Sequence, residues 1–261
     1  GSMLQNVEKV VRQAAQLMLT QGDIVNHRKE GHANFVTETD MAVQEQLRTA
    51  LSSVLPGSCF FAEEQVNNPL ADAPTWVVDP IDGTTNFIRG RNSSAISVAL
   101  LENKVPVLAV VYNPYADEMF TARIGQGAYM NGAPIRVSDV PFSNALVLMG
   151  TTPYSDAYAA ATFRAAYAYL LEAADLRRSG SAAIDLCDVA CGRAEIFYEM
   201  SLSPWDVAAG ALLITEAGGT FDMPGLHQPD FSAPHGMLAT NGLCREDAMR
   251  IFISAMEEQT T

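Results

Sequence analysis

Trp76-Val77-Val78-Asp79-Pro80-Ile81-Asp82-Gly83-Thr84-Thr85-Asn86-Phe87 is the stretch on which the reading of this chain turns. Apolar residues of a buried-strand type run into two carboxylates three positions apart, with a proline between them that stiffens a turn. Asp79 and Asp82 can both point past the strand end into one pocket. The carbonyl of Ile81 can join them as a further oxygen, and a hard cation wants such oxygens. Gly83 and Thr84 then open a helix whose first N–H groups lack intrahelical partners, which makes an anion site beside the metal. A phosphate ester needs both halves of that arrangement. Taken alone, Asp-Pro and Asp-Gly are also ordinary turn dipeptides, so other acids have to decide.

Three such acids lie outward from this stretch. Glu63-Glu64 follows the apolar run Cys59 to Ala62, Asp40 closes Val36-Thr37-Glu38-Thr39-Asp40 at a helix start, and Asp206 follows Trp205 at the head of an apolar helix. Each by itself reads equally well as a cap or a solvated charge. Around them the chain has a clear order. Val7 to Met18 and Val43 to Val54 recur at helical spacing, ending at Gly22 and Pro56. Short runs at Trp76 to Val78, Ala95 to Leu101, Val105 to Tyr112 and Glu118 to Arg123 read, with Cys59 to Ala62, as an antiparallel sheet. From about Phe142 strand and helix alternate: a strand at Ala145 to Met149, then helices at Ser155 to Ala174, Ala182 to Gly192 and Trp205 to Ala217. An N-terminal α+β part, residues 1–141, and a C-terminal α/β part, 142–261, are expected to pack as one compact catalytic unit, since no low-complexity linker separates them.

Composition narrows the function. The 261 residues are 48% hydrophobic and 18% charged, which excludes a disordered chain, and 16 Lys and Arg against 30 Asp and Glu leave a formal charge of −14. A field of that sign repels phosphate backbones and anionic lipid, so neither nucleic acid nor a membrane surface is expected as a partner. A small phosphorylated ligand fits only with local help from cations or helix N-termini. The four cysteines form no C-x-x-C pair and the four histidines are scattered, which argues against zinc and against a disulfide framework. Reduced thiols and the absence of an apolar run near the ~20 residues of a membrane span point to the cytoplasm. Gly1-Ser2 before Met3 reads as a cloning remnant, with no signal peptide after it.

The sequence resembles the inositol monophosphatase family of magnesium-dependent, lithium-sensitive phosphatases. Asp79 to Phe87 looks like the family's first signature, and Trp205-Asp206-Val207-Ala208-Ala209-Gly210 with Glu216-Ala217-Gly218-Gly219 looks like the second. Ala62-Glu63-Glu64 is similar to the Gly-Glu-Glu element before them. Gly125-Gln126-Gly127-Ala128, Asn131-Gly132, Gly180-Ser181-Ala182-Ala183 and Phe197-Tyr198-Glu199 follow in the family's order. The resemblance implies a layered αβαβα sandwich of the inositol monophosphatase and fructose-1,6-bisphosphatase type, often a homodimer, acting on a small phosphorylated polyol or sugar.

By that resemblance Glu63, Asp79 and the Ile81 carbonyl hold a first Mg2+, Asp79, Asp82 and Asp206 hold a second, and Glu63 also faces a weaker third ion. Thr84, oriented by Asp40, takes or relays a proton from the attacking water, and the Gly83 and Thr84 amides hold phosphoryl oxygens. Lys29 aligns with a loop lysine near the third ion. Glu199, the Gly180, Ser181 and Ala182 backbone and the free oxygen of Asp82 meet substrate hydroxyls, and Thr85-Asn86 resembles the inositol-phosphate branch. Ile88-Arg89-Gly90-Arg91-Asn92 and Ser203 depart from the family pattern, and Arg89 and Arg91 could either form a salt-bridged rim or receive a second phosphate, as in fructose 1,6-bisphosphate. A protein of another class, keeping the fold but acting through its acidic surface, is the alternative.

Overall fold

The computed structural model describes residues 2–20, 26–28, 35–63 and 69–257. In chain order the elements are α1 (Met3–Thr20), β1 (Asn26–Arg28), β2 (Phe35–Thr37), α2 (Glu38–Val54), β3 (Cys59–Ala62), β4 (Thr75–Asp82), α3 (Thr84–Ile88), β5 (Ala95–Glu102), β6 (Val105–Asn113), β7 (Glu118–Arg123), β8 (Ala128–Met130) and β9 (Ala133–Ile135). There follow β10 (Leu146–Met149), α4 (Ala159–Glu172), β11 (Asp175–Arg177), α5 (Ala182–Ala190), β12 (Ile196–Leu202), α6 (Pro204–Glu216), β13 (Thr220–Asp222), β14 (His235–Thr240) and α7 (Arg245–Glu257).

Side-chain periodicity explains how these stack. Along the sheet β3-β4-β5-β6-β7-β8-β9, alternate residues face opposite ways. Trp76, Val78, Ile96, Val98, Leu108 and Val110 pack against the apolar stripes of α1 (Val7, Val11, Met18) and α2 (Val43, Leu47, Leu51). Val77, Ala99, Ala109, Val111 and Phe120, from the other face, join a second core with α5 and α6. That same core takes in Leu148, Phe197, Met237 and Ala239 from one face of the second sheet, ordered β11-β10-β12-β14-β13. The opposite face of that sheet, through Val147, Ile196, Tyr198 and Leu238, packs on Ala165 and Tyr169 of α4 and on Ile251 and Phe252 of α7. The result is five layers, helix pair, sheet, helix pair, sheet, helix pair, as the αβαβα expectation holds. The helix pair in the middle is apolar nearly all round, nine of the thirteen residues of α6 being buried, because it meets a sheet on both sides.

Several boundaries differ from the sequence expectation, each for a local reason. The strand expected at Trp76 to Val78 continues to Asp82, passing Pro80 by a register shift between Asp79 and Asp82 where it pairs with β5. The two acids therefore sit in a bulge of the strand, where an irregular ladder tolerates proline's missing N–H, and not in a turn beyond its end. β3 pairs with β4 in parallel, so the first sheet is not wholly antiparallel. The helix expected from Ser155 begins with a 3-10 turn at Asp156–Tyr158, since the Ser155 hydroxyl accepts from the Ala157 N–H, and becomes α-helical only at Ala159. The second sheet is mixed: β10 runs parallel to β11 and β12, but β14 is antiparallel to β12 and β13.

Candidate metal centre and active site

The metal-type acids arrive from three elements. Asp79 and Asp82 come from the bulge of β4, and Asp206 from the first turn of α6. α6 starts where Ser203 caps it, Pro204 takes the first helical position, and the Asp206 carboxylate accepts the Ser203 N–H at 2.9 Å. One carboxylate oxygen from each of Asp79, Asp82 and Asp206 lies within 4.8 Å of the others. Asp79 and Asp82 are 7% and 4% exposed. Burial, reinforced by the charges of Asp82, Asp206 and Glu63, drives the Asp79 carboxyl well above the usual carboxylate range. Burial and the Asp82 charge do the same to Asp206. Asp82 is raised by burial too, against the pull of its hydrogen bonds from Ser181 Oγ at 2.7 Å and the Ala183 N–H at 3.3 Å. Three like charges this close and this dry resist ionising together, and a multivalent cation removes that conflict. The donors are all oxygen, so the set fits magnesium-type ions and does not fit the nitrogen and sulfur preferences of structural zinc.

These acids line one side of a cavity of about 440 Å3. Glu63, at the end of β3, and the Ile81, Gly83 and Thr84 positions share that side. Gly83 sits at φ 92°, a left-handed conformation in which a Cβ would lie 3.0 Å from the Ser93 carbonyl oxygen, so glycine is needed for the strand to enter α3. α3 is only five residues long, its first intrahelical bond being Phe87 N–H to Gly83 C=O, so the preceding amides act individually and little helix dipole backs them. Thr84 Oγ1 lies 3.3 Å from Asp40 Oδ2 and 3.2 Å from the Ile81 carbonyl, and can donate to either. Asp40 does not line the cavity. It stands behind Thr84 as the third residue of α2, where its Oδ1 accepts from the Thr37 hydroxyl at 2.5 Å and the Thr37 N–H at 3.3 Å in a capping box.

The opposite side of the cavity belongs to the second sheet and α5. Gly180, Ser181 and Ala182 line it where Ser181 caps α5. Asn86 ties this loop to the first sheet by donating to the Ser93 and Ser179 carbonyls at 2.8 and 2.9 Å. Glu199 of β12 is 6% exposed and accepts from the Thr152 N–H and hydroxyl, both at 3.2 Å; burial pushes its carboxyl up to about 7. The expected site residues thus converge on one cavity, with Asp40 one step behind it, while Lys29 lies outside the described residues, as does Glu64.

Other features were not legible beforehand. Arg89 and Arg91 do not line the cavity; Arg178 does, donating to Thr151 Oγ1 at 3.0 Å. Gly150 and Asp185 also line it, Asp185 being 2% exposed with Oδ1 unpartnered and its carboxyl raised well above the usual range by burial. A glycine directly after the apolar run ending at Met149 was the available signal for a close approach. Gly125-Gln126-Gly127 and Glu216 turn out to serve each other: the Glu216 carboxylate accepts the Gly125 and Gly127 N–H groups at 3.1 and 2.9 Å, away from the cavity.

A profile of the inositol monophosphatase family matches residues 2–260. Inositol monophosphatase 2 of Solanum lycopersicum is 39% identical over 268 residues, covering 97% of this chain and 99% of that protein. The Nus factor SuhB of Salmonella typhimurium is 37% identical over 223 residues, 85% of this chain and 81% of that one. Among solved structures, an IMPase of Thermotoga maritima superposes with a TM-score of 0.87 at 28% identity, covering 97% of both chains.

Proposed function

The chain belongs to the inositol monophosphatase family and is a phosphoric monoester hydrolase, and from that premise we propose that it is a magnesium-dependent phosphatase releasing inorganic phosphate from inositol monophosphate or a related polyol or sugar phosphate. The observation that carries this reading is one cavity lined both by three crowded acids, an oxygen of each within 4.8 Å of the others, and by the Glu199 carboxylate and the Gly180 to Ala182 loop. Glu63, Asp79 and the Ile81 carbonyl would hold one ion, Asp79, Asp82 and Asp206 would hold a second, and Glu63 would also face a third. When bound, these ions neutralise phosphoryl and leaving-group oxygens and make water more acidic.

The chain's own groups do the rest. Thr84 Oγ1 already has two acceptors for its proton, Asp40 and the Ile81 carbonyl, so its lone pair is available to take a proton from the attacking water. Asp40, held by Thr37, receives the relayed proton. The Gly83 and Thr84 amides hold the phosphoryl oxygens, and Lys29 is assigned a part at the third ion by the family resemblance alone. At the alcohol end, Glu199 accepts from vicinal hydroxyls, helped by the Gly180 to Ala182 backbone and the Asp82 oxygen that Ser181 does not use. The two parts, 1–141 and 142–261, form one catalytic unit: the first contributes most metal ligands and the second contributes Asp206 and the alcohol contacts.

Lithium sensitivity goes with the second ion's ligand set, and undiminished turnover in millimolar lithium at limiting Mg2+ would count against that assignment. A cytoplasmic location is supported by the four free cysteines. Among the described residues, no helix is long and apolar enough to cross a membrane. The homodimer is supported by the outward stripe of α4, Phe163, Tyr167, Leu170 and Leu171, which is 52–68% exposed. The deciding assay is phosphate release, with and without Mg2+, from inositol 1-phosphate, glycerol 2-phosphate, fructose 1,6-bisphosphate, histidinol phosphate and adenosine 3',5'-bisphosphate. Mg2+-dependent preference for inositol 1-phosphate is expected. Preference for a bisphosphate would shift the substrate to fructose-bisphosphatase type and bring Arg178, not Arg89 or Arg91, to the second phosphate.

A further inference from the structure

Thr152 lies behind the cavity wall against Glu199, and among the described residues it is the one β-branched side chain on a left-handed backbone. It is fully buried and has φ 46°, in the left-handed region that glycine and asparagine enter cheaply and a β-branched residue does not. Such a conformation persists only where its surroundings over-determine it, and here they are identifiable. The Thr152 N–H and hydroxyl both reach Glu199 Oε2 at 3.2 Å, the hydroxyl also lies 3.3 Å from the Ser201 carbonyl, and the Thr152 carbonyl accepts the Ser155 N–H at 3.2 Å to close the turn. Glycine would supply the N–H at this φ without strain; what threonine adds is the hydroxyl.

The other oxygen of Glu199 is confined from the opposite direction. Gly150 is tied to β12 by its N–H donating to the Tyr198 carbonyl at 3.1 Å, and a Cβ on Gly150 would lie 1.6 Å from Glu199 Oε1. Glu199 therefore lies under the Gly150 backbone with one oxygen engaged by Thr152, and its carboxylate plane is set before any ligand arrives. A carboxylate that grips two neighbouring hydroxyls gains most when its orientation is fixed in advance.

We propose that Thr152 is a positioning residue that sets selectivity for hydroxyl-bearing phosphate esters by holding Glu199 against the Gly150 backbone. This rests on the reading of Glu199 as the hydroxyl acceptor given above. The test compares kcat/KM for inositol 1-phosphate with kcat/KM for p-nitrophenyl phosphate, whose leaving group carries no neighbouring hydroxyls, in the Mg2+-loaded protein. Thr152→Val is expected to lower that ratio about ten-fold, mainly through KM for the polyol ester, and Thr152→Ser to keep it within about two-fold. Thr152→Gly, which suits the left-handed backbone and keeps the N–H, is expected to lower the ratio as Thr152→Val does and serves if the valine variant does not fold. An unchanged ratio in Thr152→Gly, with Glu199→Gln lowering it, overturns the proposal and leaves the Glu199 reading standing. An unchanged ratio in Glu199→Gln overturns both. A purely structural role predicts equal losses on the two esters and no distinction between serine and glycine, and that result too would overturn it.

Discussion

At the scale of single residues, the centre trades stability for charge. Asp79 and Asp82 in the β4 bulge and Asp206 at the head of α6 repel one another, so removing one charge relieves the metal-free fold while it dismantles the ion site. Asp82→Asn is expected to lower Mg2+-dependent turnover by at least about 1000-fold, with a melting temperature in EDTA equal to or above that of the parent. A lower melting temperature, or preserved turnover, would contradict this account. Thr84 is a separate case, because its role needs only a hydroxyl between water and Asp40. Thr84→Ala should cost about 100-fold or more in kcat, and Thr84→Ser should retain most of it, measured at saturating substrate and Mg2+. The acids were legible only as a set: each alone reads as a cap, a turn residue or a solvated charge, and it is their order along the chain that resembles the family's signatures. Thr152 and Asp185 were not legible, since the second threonine of Thr151-Thr152-Pro153 and an aspartate inside an apolar helix look like a turn and a surface position.

Among elements, the contact that aims Asp206 is the crossing of α5 and α6. A Cβ on Gly210 would lie 2.3 Å from Leu186 Cδ1 and 2.7 Å from Leu186 Cβ, so the two helices approach as closely as they do only because α6 has no side chain there. Gly210→Ala is expected to destabilise the protein by about 1–3 kcal/mol in urea titration, overpacking outweighing alanine's better helix propensity. The forced tilt of α6 should also weaken Mg2+ dependence, read as a higher Mg2+ concentration for half-maximal activity. A neutral outcome in both measurements would mean that Leu186 can move aside. Periodicity found α1, α2 and the central strands, yet it stopped β4 at Val78. Local pattern treats Pro80 as a strand breaker, whereas pairing with β5 on either side of the register shift carries the strand past it.

For the whole molecule, two properties follow from layering and charge. The outward stripe of α4 recurs at positions 163, 167, 170 and 171, one helix face left without a covering layer in a single chain. Sedimentation equilibrium is expected to give twice the chain mass for the parent and the monomer mass for Phe163→Asp combined with Leu171→Asp; a monomeric parent would remove the homodimer. The second property is pH dependence. Burial lifts Glu199 to about 7 and Asp188 to about 6, and Asp185 well above its usual range. The folded protein therefore holds protons that the unfolded chain has released, and its stability falls as pH rises from about 4.5 to 7. The lowered carboxyls, such as Asp117, Asp175 and Asp230, are largely solvent-screened and act at lower pH. The urea midpoint in EDTA is expected to decrease from pH 5.5 to pH 8, and saturating Mg2+ to raise it more at pH 8 than at pH 5.5, because protons and metal compete for Asp79, Asp82 and Asp206, whose carboxyls are also raised. A midpoint that rises with pH in EDTA would refute the first expectation. By itself, the sequence determined an α+β part followed by an α/β part and the acidic oxygen chemistry, because burial pattern and residue chemistry are local properties of the chain; the layered sandwich followed from the resemblance of its motifs to a family. Tertiary structure alone decided which of those groups meet: Ser181 bonding Asp82 across 99 positions, Thr152 bonding Glu199 across 47, and Arg178 rather than Arg89 or Arg91 at the cavity. Such pairings depend on strand register, on the bulge at Asp79 to Asp82 and on the α5–α6 crossing, each set by packing between layers distant in sequence.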